Sequence, residues 1–198
     1  MTTAYIVDDD AAIRDALMWL LKSRSVPAKA WPSAEAFMDD YDNGMTGCLL
    51  LDIRMSGMTG LELMEQLQAR GCRMPVIFLT GHGDVAMAVS ALKRGAYDFV
   101  EKPFNDNDLV DRILEALDSD SRQRHEQASL ASVDNRLQSL TKREQEVMER
   151  ILAGKLNKII ADELGIATRT VEVHRSRLFD KMNVKSAVEL AQLLARRR

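Results

Sequence analysis

The sequence Ala4-Tyr5-Ile6-Val7-Asp8-Asp9-Asp10 begins the chain with a short apolar run that ends in three aspartates. Such a run, bounded by polar residues, is typical of a strand that is buried on both faces of a sheet. Apolar residues then recur every three or four positions, at Ile13, Leu17, Leu20 and Leu21. A buried strand followed by an amphipathic helix is the repeating unit of a parallel α/β sheet.

Further apolar runs repeat this pattern along the first 118 residues. Cys48-Leu49-Leu50-Leu51 ends at Asp52, and Val76-Ile77-Phe78-Leu79 ends at Thr80. Asp98-Phe99-Val100 is a shorter run, and residues 26–31 form a weaker candidate strand at a sheet edge. Helical stripes separate these runs. Residues 1–118 are therefore predicted to fold as a five-stranded, doubly wound parallel sheet.

The character of the chain changes twice after residue 118. Residues 119–137 are polar and are predicted to be a linker, part of which extends the preceding helix because it contains neither Gly nor Pro. Residues 138–198 show helical periodicity throughout. Capping boxes at Thr141 with Glu144 and at Ser186 with Glu189, together with Gly154 and Gly165, delimit four short helices at 142–152, 157–164, 168–182 and 186–195.

Charge and composition support two domains with different partners. Residues 1–137 carry 14 Lys and Arg against 22 Asp and Glu, whereas residues 138–198 carry 13 against 8. The basic last third is a candidate nucleic-acid binder. Cys48 and Cys72 follow no ligand or disulfide pattern and are expected to be reduced thiols. No apolar run reaches the ~18 residues of a membrane span and no signal peptide is evident, so we expect a cytoplasmic protein.

The carboxyl ends of the predicted strands carry a cluster of polar side chains. Asp8 and Asp9 follow the first strand, Asp52 follows the third and Thr80 the fourth, while Lys102 lies just beyond the fifth. These strand ends meet at one edge of a parallel sheet. Clustered carboxylates require a cation, and hard oxygen ligands of this kind suit Mg²⁺. With a lysine and a hydroxyl nearby, such a site would stabilise a phosphoryl group on a carboxylate.

Four segments give the first 118 residues a family resemblance: Val7-Asp8-Asp9-Asp10, Leu51-Asp52-Ile53-Arg54-Met55, Thr80-Gly81-His82-Gly83-Asp84-Val85 and Phe99-Val100-Glu101-Lys102-Pro103-Phe104. In order and spacing they resemble the flavodoxin-like receiver domain of two-component response regulators of the FixJ/NarL type. The resemblance implies that Asp52 is the phosphoacceptor. It also implies Mg²⁺ bound by Asp9, by Asp8 mainly through water, by Asp52 and by the backbone carbonyl of Arg54.

The resemblance further implies how phosphorylation is sensed. Lys102 would pair with the phosphoryl group, and the Lys102–Pro103 peptide would be cis. Thr80 would turn inward to bond the phosphoryl group, and Phe99 would follow it. The surface of helix 84–94 and the next strand would then change, with Val89, Lys93 and Asp98 as candidate dimer contacts. Arg54 and His82 occupy positions that tune the lifetime of the phosphorylated state.

Residues 140–194 resemble the LuxR-type helix-turn-helix through Leu140-Thr-Lys-Arg-Glu144, Asn157-Lys158-Ile159-Ile160-Ala161, Thr170-Val171-Glu172-Val173-His174-Arg175 and Lys181-Met182-Asn-Val184. Helix 168–182 would be the recognition helix, with its first residues directed at base edges. Candidate base readers are Arg169, Glu172, Val173 and Ser176; candidate phosphate contacts are Lys158, Thr168, Arg175, Arg177 and Lys181. The last helix would form a dimer contact on DNA through Ala191 and Leu194, although this stripe is equally compatible with the domain core.

One position departs from the receiver pattern. Receivers commonly carry proline four residues after the phosphoacceptor, and this chain has Ser56. Because proline fixes the backbone angle φ, serine predicts a freer loop at this point.

The sequence thus predicts a transcriptional regulator rather than an enzyme that turns over a substrate. A partner histidine kinase would phosphorylate Asp52, and the chain would then dimerise and bind double-stranded DNA, with RNA polymerase as an expected partner. Whether phosphorylation relieves inhibition or drives dimerisation stays open. Two alternatives come from other classes: a Mg²⁺-dependent phosphohydrolase with an aspartyl nucleophile, and a receiver-controlled adaptor whose helical domain binds protein or RNA.

Overall fold

The computed structural model describes residues 2–81 and 85–195. The chain divides into two compact units, Met1–Arg124 and His125–Arg198. In the described part of the first unit, five parallel strands pair in the order β2-β1-β3-β4-β5. Their bounds are β1 Thr3–Val7, β2 Ala28–Trp31, β3 Gly47–Asp52, β4 Val76–Thr80 and β5 Asp98–Glu101. The predicted sheet is confirmed, and the weak strand candidate forms its edge.

Helices cover both faces of this sheet. They are α1 Ala11–Ser23, α2 Ala34–Asp40, α3 Gly60–Ala69, α4 Val85–Lys93 and α5 Asp106–Gln138. Because successive side chains of a strand point to opposite faces, Val7 packs with Phe37 of α2 and Leu63 of α3, while Ile6 packs with Leu17 of α1 and with apolar residues of α5. The continuous apolar runs of the sequence thus fill two cores.

The winding of the sheet places a crevice at its carboxyl edge. The chain passes from β1 outward to β2, and β3 then pairs with the opposite side of β1. In open α/β sheets, ligands bind outside the carboxyl ends of the strands where the winding reverses. Asp8 directly follows β1 and Asp52 ends β3, so the two carboxylates flank this reversal.

Local caps explain where several helices begin. Asp10 caps α1 by accepting a hydrogen bond from Ala12 N at 2.8 Å. Thr59 and Glu62 form a capping box at the start of α3, in which each side chain bonds the backbone N–H of the other residue. These caps satisfy N–H groups that have no partner inside their own helix.

Helix α5 is longer than the sequence pattern indicates, because the polar segment after residue 118 continues it to Gln138. The first unit accordingly extends to Arg124, six residues beyond the predicted boundary. Buried Asp120 accepts a hydrogen bond from Gly47 N at 3.0 Å. Arg124 pairs with Asp120 at 3.0 Å and donates to Met45 O at 2.8 Å. These bonds attach the polar turns of α5 to the beginning of β3.

The second unit is helical, as predicted, with α6 Lys142–Leu152, α7 Asn157–Leu164, α8 Thr168–Met182 and α9 Ala187–Ala195. The capping box of Thr141 and Glu144 is present. At α9 the prediction is half right: Ser186 accepts from Glu189 N, but the Glu189 carboxylate bonds Lys185 N. No helix within residues 2–81 and 85–195 is long and apolar enough to cross a bilayer.

Replacing Asp120 with alanine is expected to lower the free energy of unfolding of the first unit by about 1–3 kcal/mol, because the buried Gly47 N–H and Arg124 lose their acceptor. Chemical unfolding of the full chain would measure the change. Asp118→Ala is the matched control, since Asp118 forms an exposed pair with Arg122 one helical turn away; its effect should stay within about 0.5 kcal/mol. Equal effects of the two variants would contradict the role given to Asp120.

Candidate functional site

Three carboxylates meet at the carboxyl edge of the sheet. Asp8 and Asp9 lie in the turn after β1, and Asp52 is the last residue of β3. Each offers an oxygen that lies within 4.8 Å of those of the other two. Asp8 and Asp52 are buried, whereas Asp9 is exposed. The sheet topology thus brings together the three aspartates that the sequence placed in one site.

Lys102 lies between the two buried carboxylates. Its Nζ donates to Asp8 Oδ2 at 2.7 Å and to Asp52 Oδ1 at 3.0 Å. The backbone N–H of Lys102 donates to Thr80 O at 2.7 Å, which ties the residue to the end of β4. The Lys102–Pro103 peptide is cis, as predicted. The ammonium group therefore reaches the site from the segment that follows β5.

The pKa values of Asp52 and Lys102 are each shifted by burial and by the neighbouring charged groups. Burial is the largest influence on the Asp52 carboxyl and raises its pKa; Lys102 opposes this rise, while Asp8 and Asp9 add to it. Burial of Lys102 acts to lower its pKa, but the hydrogen bonds to Asp8 and Asp52 prevail and the pKa is raised. Lys102 therefore stays charged, and a carboxylate nucleophile is held beside a fixed cation.

The donor set fits a magnesium ion. Lys102 pairs with two of the three clustered carboxylates, so the three together carry an excess of negative charge that a divalent cation would neutralise. Oxygen ligands, few in number and partly open to water, are what Mg²⁺ prefers. Both oxygens of Asp8 already accept hydrogen bonds, from Lys102 and from Asp10 N. The role of Asp8 as a ligand mainly through water stays a prediction.

The predicted sensing residues lie beside this cluster. Thr80 is buried at the end of β4. Phe99 pairs with Phe78 across β4 and β5 and is half-buried against the core. Arg54 lies in the loop that follows β3 and is exposed. His82, to which the resemblance assigns a role in phosphorylation lifetime, lies outside the described residues.

The candidate dimer residues of the first unit differ in their availability. Val89 is 42% exposed and Lys93 is also exposed on α4. Asp98 is already engaged, because its carboxylate accepts from Phe99 N at 2.8 Å and forms an ion pair with Arg112 of α5. Val89 and Lys93 are therefore accessible, whereas the Asp98 carboxylate is paired with Arg112; all three stay predicted dimer contacts.

The helical unit contains the helix-turn-helix that the sequence predicts. Helix α7 ends at Leu164 and is capped by Gly165. The φ of +63° and ψ of +38° of Gly165 are left-handed values that glycine adopts without strain. Three residues later α8 begins at Thr168. Buried Val171, Leu178 and Met182, spaced at seven and four residues, hold α8 in the core of this unit. Glu172, Val173, Ser176 and Arg177 lie exposed on the same helix.

Most candidate DNA contacts are exposed. These residues are Lys158, Thr168, Arg169, Glu172, Val173, Ser176 and Arg177. Arg175 is partly buried, with its guanidinium 5.1 Å from the centre of the Phe179 ring and bonded to Asn157 Oδ1 at 3.1 Å. That arrangement joins α8 to the first residue of α7.

Lys181, a predicted phosphate contact, binds two acceptors inside the helical unit. Its Nζ donates to Glu144 Oε2 at 2.7 Å and to Ser139 O at 2.9 Å, and Glu144 is buried. The Lys181 ammonium therefore neutralises a buried carboxylate, whereas the sequence predicted that it contacts a DNA phosphate. Its pattern in the sequence is that of an exposed cation, and its partner lies 37 residues away.

The two candidate dimer residues of α9 separate in the same way. Leu194 is half-buried and packs against the core of the helical unit, whereas Ala191 is exposed. Val188, which the sequence analysis did not single out, is 65% exposed one turn earlier. The accessible apolar face of α9 is therefore formed by Val188 and Ala191.

Two site residues escaped the sequence analysis. Arg14 of α1 donates to the backbone oxygen of Asp8 at 2.7 Å. Glu35 of α2 accepts from Met58 N at 2.8 Å and so anchors the loop after Asp52. Neither contact has a local signal, because the partners lie 6 and 23 residues apart and meet through the fold.

Comparison with known protein families matches both units. Residues 4–114 match the response regulator receiver domain, and residues 138–194 match the bacterial regulatory proteins of the luxR family. The C4-dicarboxylate transport transcriptional regulatory protein DctR of Rhodobacter capsulatus is 47% identical over 193 residues, covering 96% of this chain and 98% of DctR. The transcriptional regulatory protein FixJ of Bradyrhizobium diazoefficiens is 41% identical over 192 residues, covering 97% and 94%.

Solved structures give the same result for the fold. The response regulator StyR is 40% identical and superimposes with a TM-score of 0.92 over 98% of each chain. Full-length FixJ from B. japonicum is also 40% identical, with a TM-score of 0.63 over 99% of this chain and 97% of FixJ. Both similarities extend across the receiver-like sheet and the helical unit.

Replacing Lys181 with methionine is expected to destabilise the helical unit by about 1–3 kcal/mol, because buried Glu144 loses its cation. Burial acts to raise the pKa of Glu144, but the bonds from Lys181 and Thr141 prevail and lower it. Because the pKa is lower in the folded state, ionised Glu144 stabilises the fold at pH values above its ordinary pKa of about 4.5. This stabilisation is lost as the pH falls below that value. The difference between wild type and variant should therefore shrink in acid.

Hydrogen exchange of the α6 amides in the full chain measures this loss, near neutral pH and below the ordinary carboxyl pKa. Lys142→Met is the control, since Lys142 is an exposed cation at the beginning of the same helix. Equal protection of α6 in Lys181→Met and Lys142→Met would show that the pair with Glu144 contributes nothing.

Proposed function

Because the chain belongs to the two-component response regulators that join a receiver domain to a LuxR-type DNA-binding domain, we propose that phosphorylation of Asp52 controls its activity as a transcriptional regulator. The observation that carries this proposal is the placement of Asp52 beside Lys102, Asp8 and Asp9 at the crevice of the sheet. A carboxylate nucleophile there has a fixed cation on one side and metal-binding oxygens on the other.

The chemistry follows from these positions. A partner histidine kinase presents a phosphohistidine, and an oxygen of Asp52 attacks its phosphorus while the imidazole leaves. Lys102 neutralises negative charge on the phosphoryl oxygens. Phosphoryl transfer requires this stabilisation from the reactants to the transition state. Asp9, Asp52 and the backbone carbonyl of Arg54 would hold Mg²⁺, with Asp8 acting through water, and the ion would supply the remaining positive charge. The chain turns over no other substrate, and slow hydrolysis of its own acyl phosphate returns Asp52 to its carboxylate.

The signal leaves the site through Thr80 and Phe99. Thr80 lies buried at the end of β4, the strand that pairs with the strand of Asp52, and its hydroxyl would bond a phosphoryl oxygen. Inward movement of Thr80 leaves a space, and the half-buried Phe99 ring moves into it. The exposed face of α4, with Val89 and Lys93, changes as a result and favours a homodimer.

DNA is recognised by the exposed first half of α8. Arg169, Glu172, Val173 and Ser176 read base edges in the major groove, and Lys158, Thr168, Arg175 and Arg177 position the unit on phosphates. A second copy of the chain, contacting through Val188 and Ala191 of α9, places another recognition helix in an adjacent groove. The partners are thus a histidine kinase, double-stranded DNA, a second copy and RNA polymerase, all in the cytoplasm.

Asp52→Asn tests the phosphorylation switch. With Mg²⁺ and acetyl phosphate, wild type is expected to dimerise and to gain about 5- to 100-fold in affinity for selected DNA, the usual range of an allosteric coupling. Asp52→Asn keeps an acceptor for Lys102 but has no nucleophilic carboxylate, so it should show neither change. Sedimentation and DNA selection on both proteins, with and without acetyl phosphate, measure this. Identical behaviour in every condition would contradict the switch.

Arg177→Ala tests the phosphate contacts. Loss of one contact is expected to weaken binding to all DNA sequences alike and to reduce the slope of log affinity against log salt by about 1. Fluorescence anisotropy at several salt concentrations gives both quantities. Arg122→Ala removes an exposed charge from the first unit and should leave the slope unchanged. If Arg177→Ala behaves like that control, Arg177 does not contact phosphate.

A further inference from the structure

The loop after the phosphoacceptor is bound at two points in this chain. Ser56 donates its backbone N–H to Asp9 Oδ2 at 3.1 Å, and its hydroxyl lies 3.4 Å from the same oxygen. Two residues later Met58 N donates to Glu35 Oε1 at 2.8 Å. Hydrogen bonds thus hold the loop where a proline ring would restrain it, and the freer loop that serine predicts stays a prediction.

Gly57 is what allows both bonds to form. Its φ of +82° lies in the left-handed region, and a Cβ there would approach Glu35 Oε1 to 2.7 Å. The loop consequently turns between the two carboxylates, with Ser56 facing Asp9 and Met58 facing Glu35. A proline at position 56 would have no N–H to give to Asp9.

We propose that Ser56 is a positioning residue for magnesium, whose backbone N–H holds Asp9 in the carboxylate cluster. This inference rests on the proposed function of Asp9 as a metal ligand. Lys102 binds Asp8 and Asp52, whereas Asp9 is exposed and receives its hydrogen bonds from Ser56. Repulsion from the other two carboxylates favours rotation of Asp9 toward water, and the Ser56 N–H opposes that rotation.

The bond is compatible with metal binding. Asp9 offers an oxygen within 4.8 Å of those of Asp8 and Asp52 while it is bonded to Ser56. A carboxylate accepts at two oxygens, so a donor at Oδ2 leaves Oδ1 for the ion. The backbone N–H is the stronger of the two Ser56 donors, because it is closer and its direction is set by the loop.

Isothermal titration of the full-length chain with Mg²⁺ tests the proposal without any phosphoryl transfer. Ser56→Pro removes the N–H and is expected to weaken Mg²⁺ binding about three- to tenfold, the scale of one charge-assisted hydrogen bond at a partly exposed site. Ser56→Ala keeps the N–H and should bind within about twofold of wild type. Circular dichroism and thermal melting without Mg²⁺ check that both variants are folded.

A second variant covers the case in which Ser56→Pro fails to fold. Glu35→Ala frees Met58 N and loosens the loop from its other anchor, without changing any aspartate of the site. A two- to threefold loss of Mg²⁺ affinity is expected, about half the effect in free energy because Ser56 itself remains.

The outcomes separate this inference from the function on which it rests. Mg²⁺ binding by wild type, with equal affinity in Ser56→Pro and Glu35→Ala, overturns the positioning role and leaves the metal site intact. Equal weakening in Ser56→Ala and Ser56→Pro also overturns it, since the N–H would then not be the group that matters. No Mg²⁺ binding by wild type overturns the proposed metal site itself, and the role of Ser56 with it.

Discussion

The bonds from Lys102 to Asp8 and Asp52 are the interaction on which the receiver unit depends. Two buried carboxylates at the junction of β1 and β3 would each lower the stability of the fold if they stood alone, because burial disfavours the charged form. The ammonium group lets both remain in place. It also explains why the site sits at the reversal of the sheet, where strand ends and the segment after β5 come within reach of one side chain.

One ammonium group paired with two carboxylates leaves the site with a net negative charge. Asp9 adds a third negative charge, and the raised pKa of Asp52 reflects both its burial and its acidic neighbours. Addition of a divalent cation and of a phosphoryl group would change the charge balance at one point while the sheet stays fixed. The proposed switch would then act through side chains such as Thr80 and Phe99, and the bond from Ser56 to Asp9 would couple its loop to the proposed metal ligands.

The helical unit separates its basic residues into two groups with different tasks. Lys181 neutralises buried Glu144, and Arg150 pairs with Glu163, so these cations hold helices together. Arg169 and Arg177 lie exposed on α8 and are available to DNA. A net positive charge therefore overstates the number of phosphate contacts, since part of it is consumed inside the domain.

Local patterns by themselves determined the fold class, the two domains, the bounds of most helices and the membership of the acidic site. Apolar runs, helical stripes and capping residues act over a few positions, and parallel strands bring their ends to one edge whatever the loops do. Only the tertiary structure decided which side chains remain available and which are engaged. Ser56 meets Asp9 across 47 residues, Asp120 meets Gly47 across 73, and Lys181 meets Glu144 across 37. Each of these bonds depends on how distant elements pack, and no spacing along the chain encodes that distance.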